Sequence, residues 1–249
     1  MITERTGAIS LQQLFETARF AAPCEALQCL TFFTAGIPGY LTVSRLALVS
    51  ALDDAFAIVT PEAIAIESDV RTPIADRVLQ ALGLRLLKLE GAAAGTSDAL
   101  LGLGSLILRL GLMARTLDIT HRHLSPRTSF GQKVLKHQLV RAEFARAHGV
   151  MEQIRQECDL LAEPGRPSLQ DTGVQYSILQ HHKEIGALSA DLSKLMGGHG
   201  YLLGNSNSLD YLSSLIRSLY APKEVVKVHS YRVSSSKTLR AAGTPEFAQ

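Results

Sequence analysis

The chain has 249 residues, 46% of them hydrophobic and 19% charged, which excludes a disordered chain because so much burial outweighs the entropy of ordering. Twenty-five lysines and arginines stand against 23 aspartates and glutamates, a net charge of +2 that makes no electrostatic case for nucleic acid, whose binding needs a clustered basic face. Three cysteines (Cys24, Cys29, Cys158), odd in number and without C-x-x-C spacing, suggest neither a disulfide framework nor a zinc site.

With 6% aromatics and no tryptophan, leucine and alanine dominate the expected core, which favours helices. The opening MITERTGAIS lacks a basic stretch followed by an apolar run, so a reducing, cytoplasmic setting is expected. Residues 9–32 predict helix from the spacing of Leu11, Leu14, Phe15, Ala18, Ala22 and Leu27, with Pro23 breaking or kinking the run. A turn follows at residues 36–39. Short apolar runs at 41–49, 55–60, 63–67 and 84–89, separated by Asp53-Asp54, Pro61, Asp69 and Gly83, predict strands. Residues 40–91 thus form a small β segment, with too few strands to close a barrel.

Beyond Gly91–Gly95, Thr96 or Ser97 is expected to cap a helix running to about Leu124, with Asp98 in its first turn. Its leucines and isoleucines fall on every side, so the helix belongs at the centre of a bundle. The most apolar part, Ala99 to Ala114, contains Arg109 and is too short and too charged for a bilayer span of about 20 residues. Pro126 ends the helix and a loop follows at 127–131. A second long helix is predicted over 134–163, with Met151, Ile154, Cys158 and Leu161 as its apolar stripe, and a third over 168–196. A glycine-rich break at Gly197-Gly198-His199-Gly200 precedes two shorter helices, about 208–220 and 223–238. The resulting division is a helical N-terminal stretch (1–39), the β segment (40–91), a helical bundle (92–240) and a disordered tail (241–249).

Two motifs carry a resemblance. The first is Ala114-Arg-Thr-Leu-Asp-Ile-Thr followed by Ser125-Pro-Arg127-Thr-Ser-Phe130-Gly131 and His137-Gln-Leu. The second is Lys194-Leu-Met-Gly197-Gly198-His-Gly200-Tyr201. In this order they resemble the flavin-dependent acyl-CoA dehydrogenases, which carry an ALD-like helix end, an R-x-Q-F-G loop and a Q-x-x-G-G-x-G-Y/F turn. The resemblance covers about 95–240. It implies a mainly α fold, a four-helix-type bundle like the C-terminal domain of that family, preceded by a truncated middle β segment. The family's N-terminal helical domain is not visible, unless 1–35 is a remnant. The implied activity is α,β-dehydrogenation of an acyl thioester, with FAD shared across a subunit interface and a carboxylate removing the α-proton.

Carried over residue by residue, the resemblance makes Arg127, Ser129, Phe130, Lys194, Gly197 and Gly198 the cofactor-binding residues. An arginine suits a diphosphate, and glycines after a helix let backbone N–H groups approach phosphate. Ser129 stands where the family has Gln or Thr, and Lys194 where it has Gln. The base does not carry over. One branch reads Y-E-G-T where this chain reads Tyr220-Ala221-Pro222-Lys223, and another has T-W-E where this chain has Leu202-Leu203-Gly204. Asp118 and Glu224 are the remaining candidates. Each motif also has a plainer reading: Arg127 as a helix cap or ion-pair partner, and the glycine run as a simple C-terminal turn. The scattered histidines, His137, His181, His182 and His199, have no metal-binding spacing.

Three functions fit. The first is a degenerate acyl-CoA dehydrogenase subunit that depends on a homologous partner subunit for the base. The second is a non-redox biosynthetic or scaffold protein on the same bundle. The third is a self-sufficient dehydrogenase with a relocated base.

Overall fold

In the computed structural model, residues 9–43, 45–52, 56–66, 71–90, 98–163 and 168–222 are described. Ser10 starts α1 (Leu11–Phe20) through a reciprocal capping box with Gln13, and Leu11, Leu14, Phe15 and Ala18 turn inward. Pro23 does not kink one long helix. It occupies the first turn of a second, α2 (Pro23–Ala35), where its missing N–H costs nothing. Gly36, at φ 73°, closes α2 in the left-handed conformation.

The β segment holds β1 (Tyr40–Leu41), β2 (Leu46–Ser50), β3 (Ile58–Val59), β4 (Arg71–Ile74) and β5 (Leu84–Leu89). β1 pairs parallel with β3, and a separate antiparallel sheet runs β2-β5-β4, with Leu48 opposite Leu86 and Thr72 opposite Lys88. The apolar run 55–60 shrinks to the two residues of β3. Of the run 63–67 only a single bridge remains among the described residues, Val59 to Ala65. β4 was not expected: all four of its residues are exposed, so it has no apolar signal. The helix α3 (Arg77–Ala81) was not expected either, because five residues are too few for a period. Its start is set by Asp76, whose carboxylate accepts from the Val78 and Leu79 N–H groups.

Asp98, rather than a first-turn residue, is the N-cap of α4 (Ala99–Leu124), accepting from the Leu101 N–H; Thr96 and Ser97 lie outside the described residues. α1 and α2 pack on one side of α4, and α6 (Thr172–Leu195) and α7 (Ser206–Tyr220) on the other. Its apolar residues on every side are thereby covered, as the pattern required. At 26 residues the full helix is long and apolar enough for a membrane span by length and composition alone, but 89% of its most apolar window is buried inside the fold. Close approach of α1 is possible because position 111 is glycine: a Cβ there would stand 2.5 Å from the Phe15 carbonyl oxygen.

Residues 127–131 are not an open loop. β6 (Thr128–Ser129) and β7 (Gln132–Lys133) form a small antiparallel hairpin. A short 3-10 turn at Val134–Lys136 precedes α5 (Gln138–Ala162), so the second long helix begins later than its sequence suggests. Asp171 caps α6, and a second 3-10 turn spans Gly197–Tyr201. One core cluster runs from Leu11 to Tyr220 through every helix named except α3's flanks and through β1, β2, β3 and β5. The expected helix at 223–238, the tail at 241–249, Lys223 and Glu224 lie outside the described residues.

Candidate functional site

The hairpin is anchored by Arg127. Its N–H donates to the Leu124 carbonyl and its own carbonyl accepts from Val134 N–H, so the backbone leaves α4 and returns at one point. The Arg127 side chain is left exposed. Phe130 and Gly131 form the two-residue tip, at φ 49° and 76°. Hairpin tips with both residues at positive φ match the strand twist, but they favour Asn-Gly; a phenylalanine there is strained. Its ring is 97% exposed. His137 braces the hairpin from behind: Nε2 donates to the Ser129 carbonyl (3.2 Å), and Nδ1 accepts from Gln132 (3.0 Å).

The glycine turn stands at the end of α6. Gly197 is at φ 56°, and a Cβ built at Gly197 or Gly198 meets nothing within 4 Å, so both face open space. Lys194 is already paired with Asp191 at 2.9 Å, and Asp191 also pairs with Arg146 (2.8 Å), which reaches Glu143. Lys194 and Arg146 together hold the Asp191 carboxyl below the usual carboxylate range.

A histidine stack joins the two motifs. The His123 ring, at the end of α4, lies parallel to that of His199 in the glycine turn, with centroids 4.5 Å apart and planes 13° apart. Partial burial, then the charges of Arg127 and His199, push the His123 imidazole below its ordinary value. Arg127, His123 and His199 therefore share one field at one end of the bundle. His123 Nε2 is buried without a hydrogen-bond partner among the described residues. Sequence reading missed His123, whose only signal was its place four residues before Arg127. Exposed Leu139 and Tyr201 end the two motifs, and exposed Leu202 and Leu203 follow the second.

Asp118 lies in a groove that reaches the base of the hairpin at Ser125, Pro126 and Lys133. Its carboxylate is held by Arg19 of α1 in a two-point fork. This pair lies in an open groove of about 910 Å³ that also carries Phe20, Arg115, Arg122 and Lys133. Ala221, in the Y-E-G-T position, is buried and offers no acid. Among the described residues no group of three or more His, Cys, Asp or Glu is placed to hold a metal.

Residues 103–221 match the family model described as acyl-CoA dehydrogenase, C-terminal domain, and this helical part of the chain belongs to that family. In fold the chain is similar to a variant of the Tcur3481-Tcur3483 steroid ACAD, at TM-score 0.57 and 14% identity over 85% of this chain and 76% of that one. It is also similar to butyryl-CoA dehydrogenase from Megasphaera elsdenii, at 0.57 and 11% over 83% and 76%. A third similar structure is the ChsE4-ChsE5 complex from Mycobacterium tuberculosis, at 0.51 and 16% over 83% and 74%. At these identities the likeness is one of fold. No curated protein matches the chain.

Proposed function

We propose that this chain is a degenerate subunit of a flavin-dependent acyl-CoA dehydrogenase, working with a homologous partner subunit and holding one end of an FAD shared across their interface. The reading rests on the exposed Phe130 tip, held in a strained conformation at the same end of the bundle as the open Gly197-Gly198 turn. A large aromatic ring fixed in solvent, among further exposed apolar residues, is a surface that needs cover.

The residues present fit a dinucleotide. Gly197 and Gly198 leave room for a diphosphate to approach backbone N–H groups, Arg127 offers a planar set of donors, and His123 Nε2 is a buried polar atom in want of a partner. Phe130 and Ser129 would flank the cofactor from the hairpin. Lys194 would join only by leaving Asp191. When bound, FAD supplies the hydride acceptor for desaturation of an acyl thioester. This chain's part is to bind and orient it. The proton-abstracting carboxylate is assigned to the partner, because Ala221 replaces the acid of one family branch and Asp118 must first break its fork with Arg19. In this reading 1–39 and 40–91 are reduced counterparts of the family's other two domains.

Co-expression with a homologous full-length chain tests this. Flavin absorbance should appear in the co-purified hetero-oligomer and not in this chain alone, and Arg127→Ala should lower the flavin-to-protein ratio. A colourless protein in every combination overturns the reading in favour of a non-redox role. A yellow homo-oligomer that oxidises an acyl thioester unaided overturns it in favour of a self-sufficient enzyme.

A further inference from the structure

Arg109 lies midway along α4 and is 0% exposed. Its Nε donates to Ser213 Oγ (3.0 Å), and its Nη1 to the carbonyl oxygen (2.7 Å) and Nδ1 (2.8 Å) of His182. Its Nη2 has no hydrogen-bond partner among the described residues. None of these partners is anionic. His182 is fully buried, and burial first, then the charge of Arg109, pushes its imidazole down to about 3, so it stays neutral. No carboxylate stands within ion-pair distance of Arg109 among the described residues; Asp210 acts on it only from further away.

A second guanidinium makes the charge problem worse. Arg217, half-buried on α7, raises the local positive potential; burial first and then Arg217 push the Arg109 guanidinium down to about 10. The two arginines line one cavity of about 370 Å³, together with Gly186, Ser214, Ser218 and Pro222. Gly186 keeps space free at the unpaired donor: a Cβ there would lie 3.6 Å from Arg109 Nη2. A buried cation without a counter-charge is costly, and two of like sign are costlier. The cavity shares no residue with the hairpin or the glycine turn.

We propose that this cavity binds a phosphoryl dianion, with Arg109 Nη2 at its floor, Arg217 at its mouth, and the Ser214 hydroxyl as a further donor. A dianion answers both arginines, whereas a carboxylate answers one and leaves the other uncompensated. Its source is free phosphate or a small phosphate ester, and both present the same group to the site.

The test is thermal unfolding and calorimetric titration of the full chain at constant ionic strength, with inorganic phosphate, glycerol phosphate, acetate or chloride. Phosphate or its ester should raise the melting temperature saturably, and acetate should not. Tighter half-saturation by inorganic phosphate assigns the free ion, and tighter half-saturation by glycerol phosphate assigns an ester. Arg217→Gln should weaken half-saturation at least tenfold while leaving the melting temperature in chloride within a few degrees. Arg109→Met should remove the response entirely; if that variant fails to fold, Arg217→Gln carries the test. No phosphate response, an equal response to acetate, or a response surviving Arg217→Gln unchanged overturns the proposal.

Discussion

Arg19 and Asp118 tie α1 to α4 through two parallel contacts, Nε to Oδ2 at 2.7 Å and Nη2 to Oδ1 at 2.9 Å, between residues 99 positions apart. The pair is about one-third exposed on both sides, 31% and 34%, so solvent screens much of its attraction. Asp118→Asn should therefore cost only ~0.5–1 kcal/mol in a urea titration, near the upper end for exposed pairs because the geometry is bidentate. It should leave flavin retention of the co-purified complex unchanged. Loss of turnover in that complex with stability intact would instead make Asp118 the base.

Phe130 sets stability against function. At φ 49° a phenylalanine pays the left-handed penalty of about 1–2 kcal/mol, while its exposed ring makes a long edge contact with His137 that returns little to the isolated chain. Phe130→Asn creates the Asn-Gly pair that this turn favours, and should stabilise the chain by ~0.5–1 kcal/mol. Flavin retention in the complex should fall. A variant that is no more stable in urea would show that the hairpin relaxes around Phe130.

Two glycines of α4 should respond differently to alanine. At Gly111 the new Cβ would meet the Phe15 carbonyl oxygen at 2.5 Å and Ala18 Cβ at 2.6 Å, both rigidly placed on α1. Overpacking of about 2–3 kcal/mol is expected, against which alanine's helix preference recovers at most ~1 kcal/mol. At Gly104 the neighbours are the Leu30 and Phe33 side-chain ends at 2.8 and 2.9 Å, which can swing aside. Gly104→Ala should be the milder change, and the order of the two urea midpoints checks it.

His182 should make the fold sensitive to acid. In the unfolded chain an imidazole titrates near 6.5, and in the fold His182 is pushed down to about 3. Between these values the unfolded state takes up a proton that the folded state refuses. Stability is thus intact above pH 6.5 and declines as pH falls, by up to about 1.4 kcal/mol per pH unit. His182→Gln should flatten this part of the profile. Equal slopes for the two proteins between pH 6.5 and 4 would show that His182 is protonated in place.

What the residue pattern reveals is what burial alone dictates. The bundle helices announce themselves because each covers an apolar stripe, or in α4 a whole apolar circumference, and the two motif segments are contiguous in the chain. Contacts across the fold leave no such trace. The His123–His199 stack joins residues far apart in sequence, and the Arg19–Asp118 fork joins two helices separated by the whole β segment. β4 is exposed on every residue and pairs through its backbone at the edge of the sheet, where even Pro73 is tolerated. The hairpin at 128–133 reads as a loop because each strand has two residues. Arg109 reads as a mere interruption of an apolar run, since nothing local tells that Ser213 and His182 will meet it.

The central place of α4 also bears on how the protein is made. Its partners α1 and α2 leave the ribosome before it, but α6 begins only at Thr172, well after Leu124 has emerged. Through that interval one flank of a helix apolar enough to pass for a membrane segment faces water or a chaperone bare. Translation interrupted between α4 and α6 would release a sticky fragment, and the nascent chain is most exposed to aggregation or mistargeting in that window.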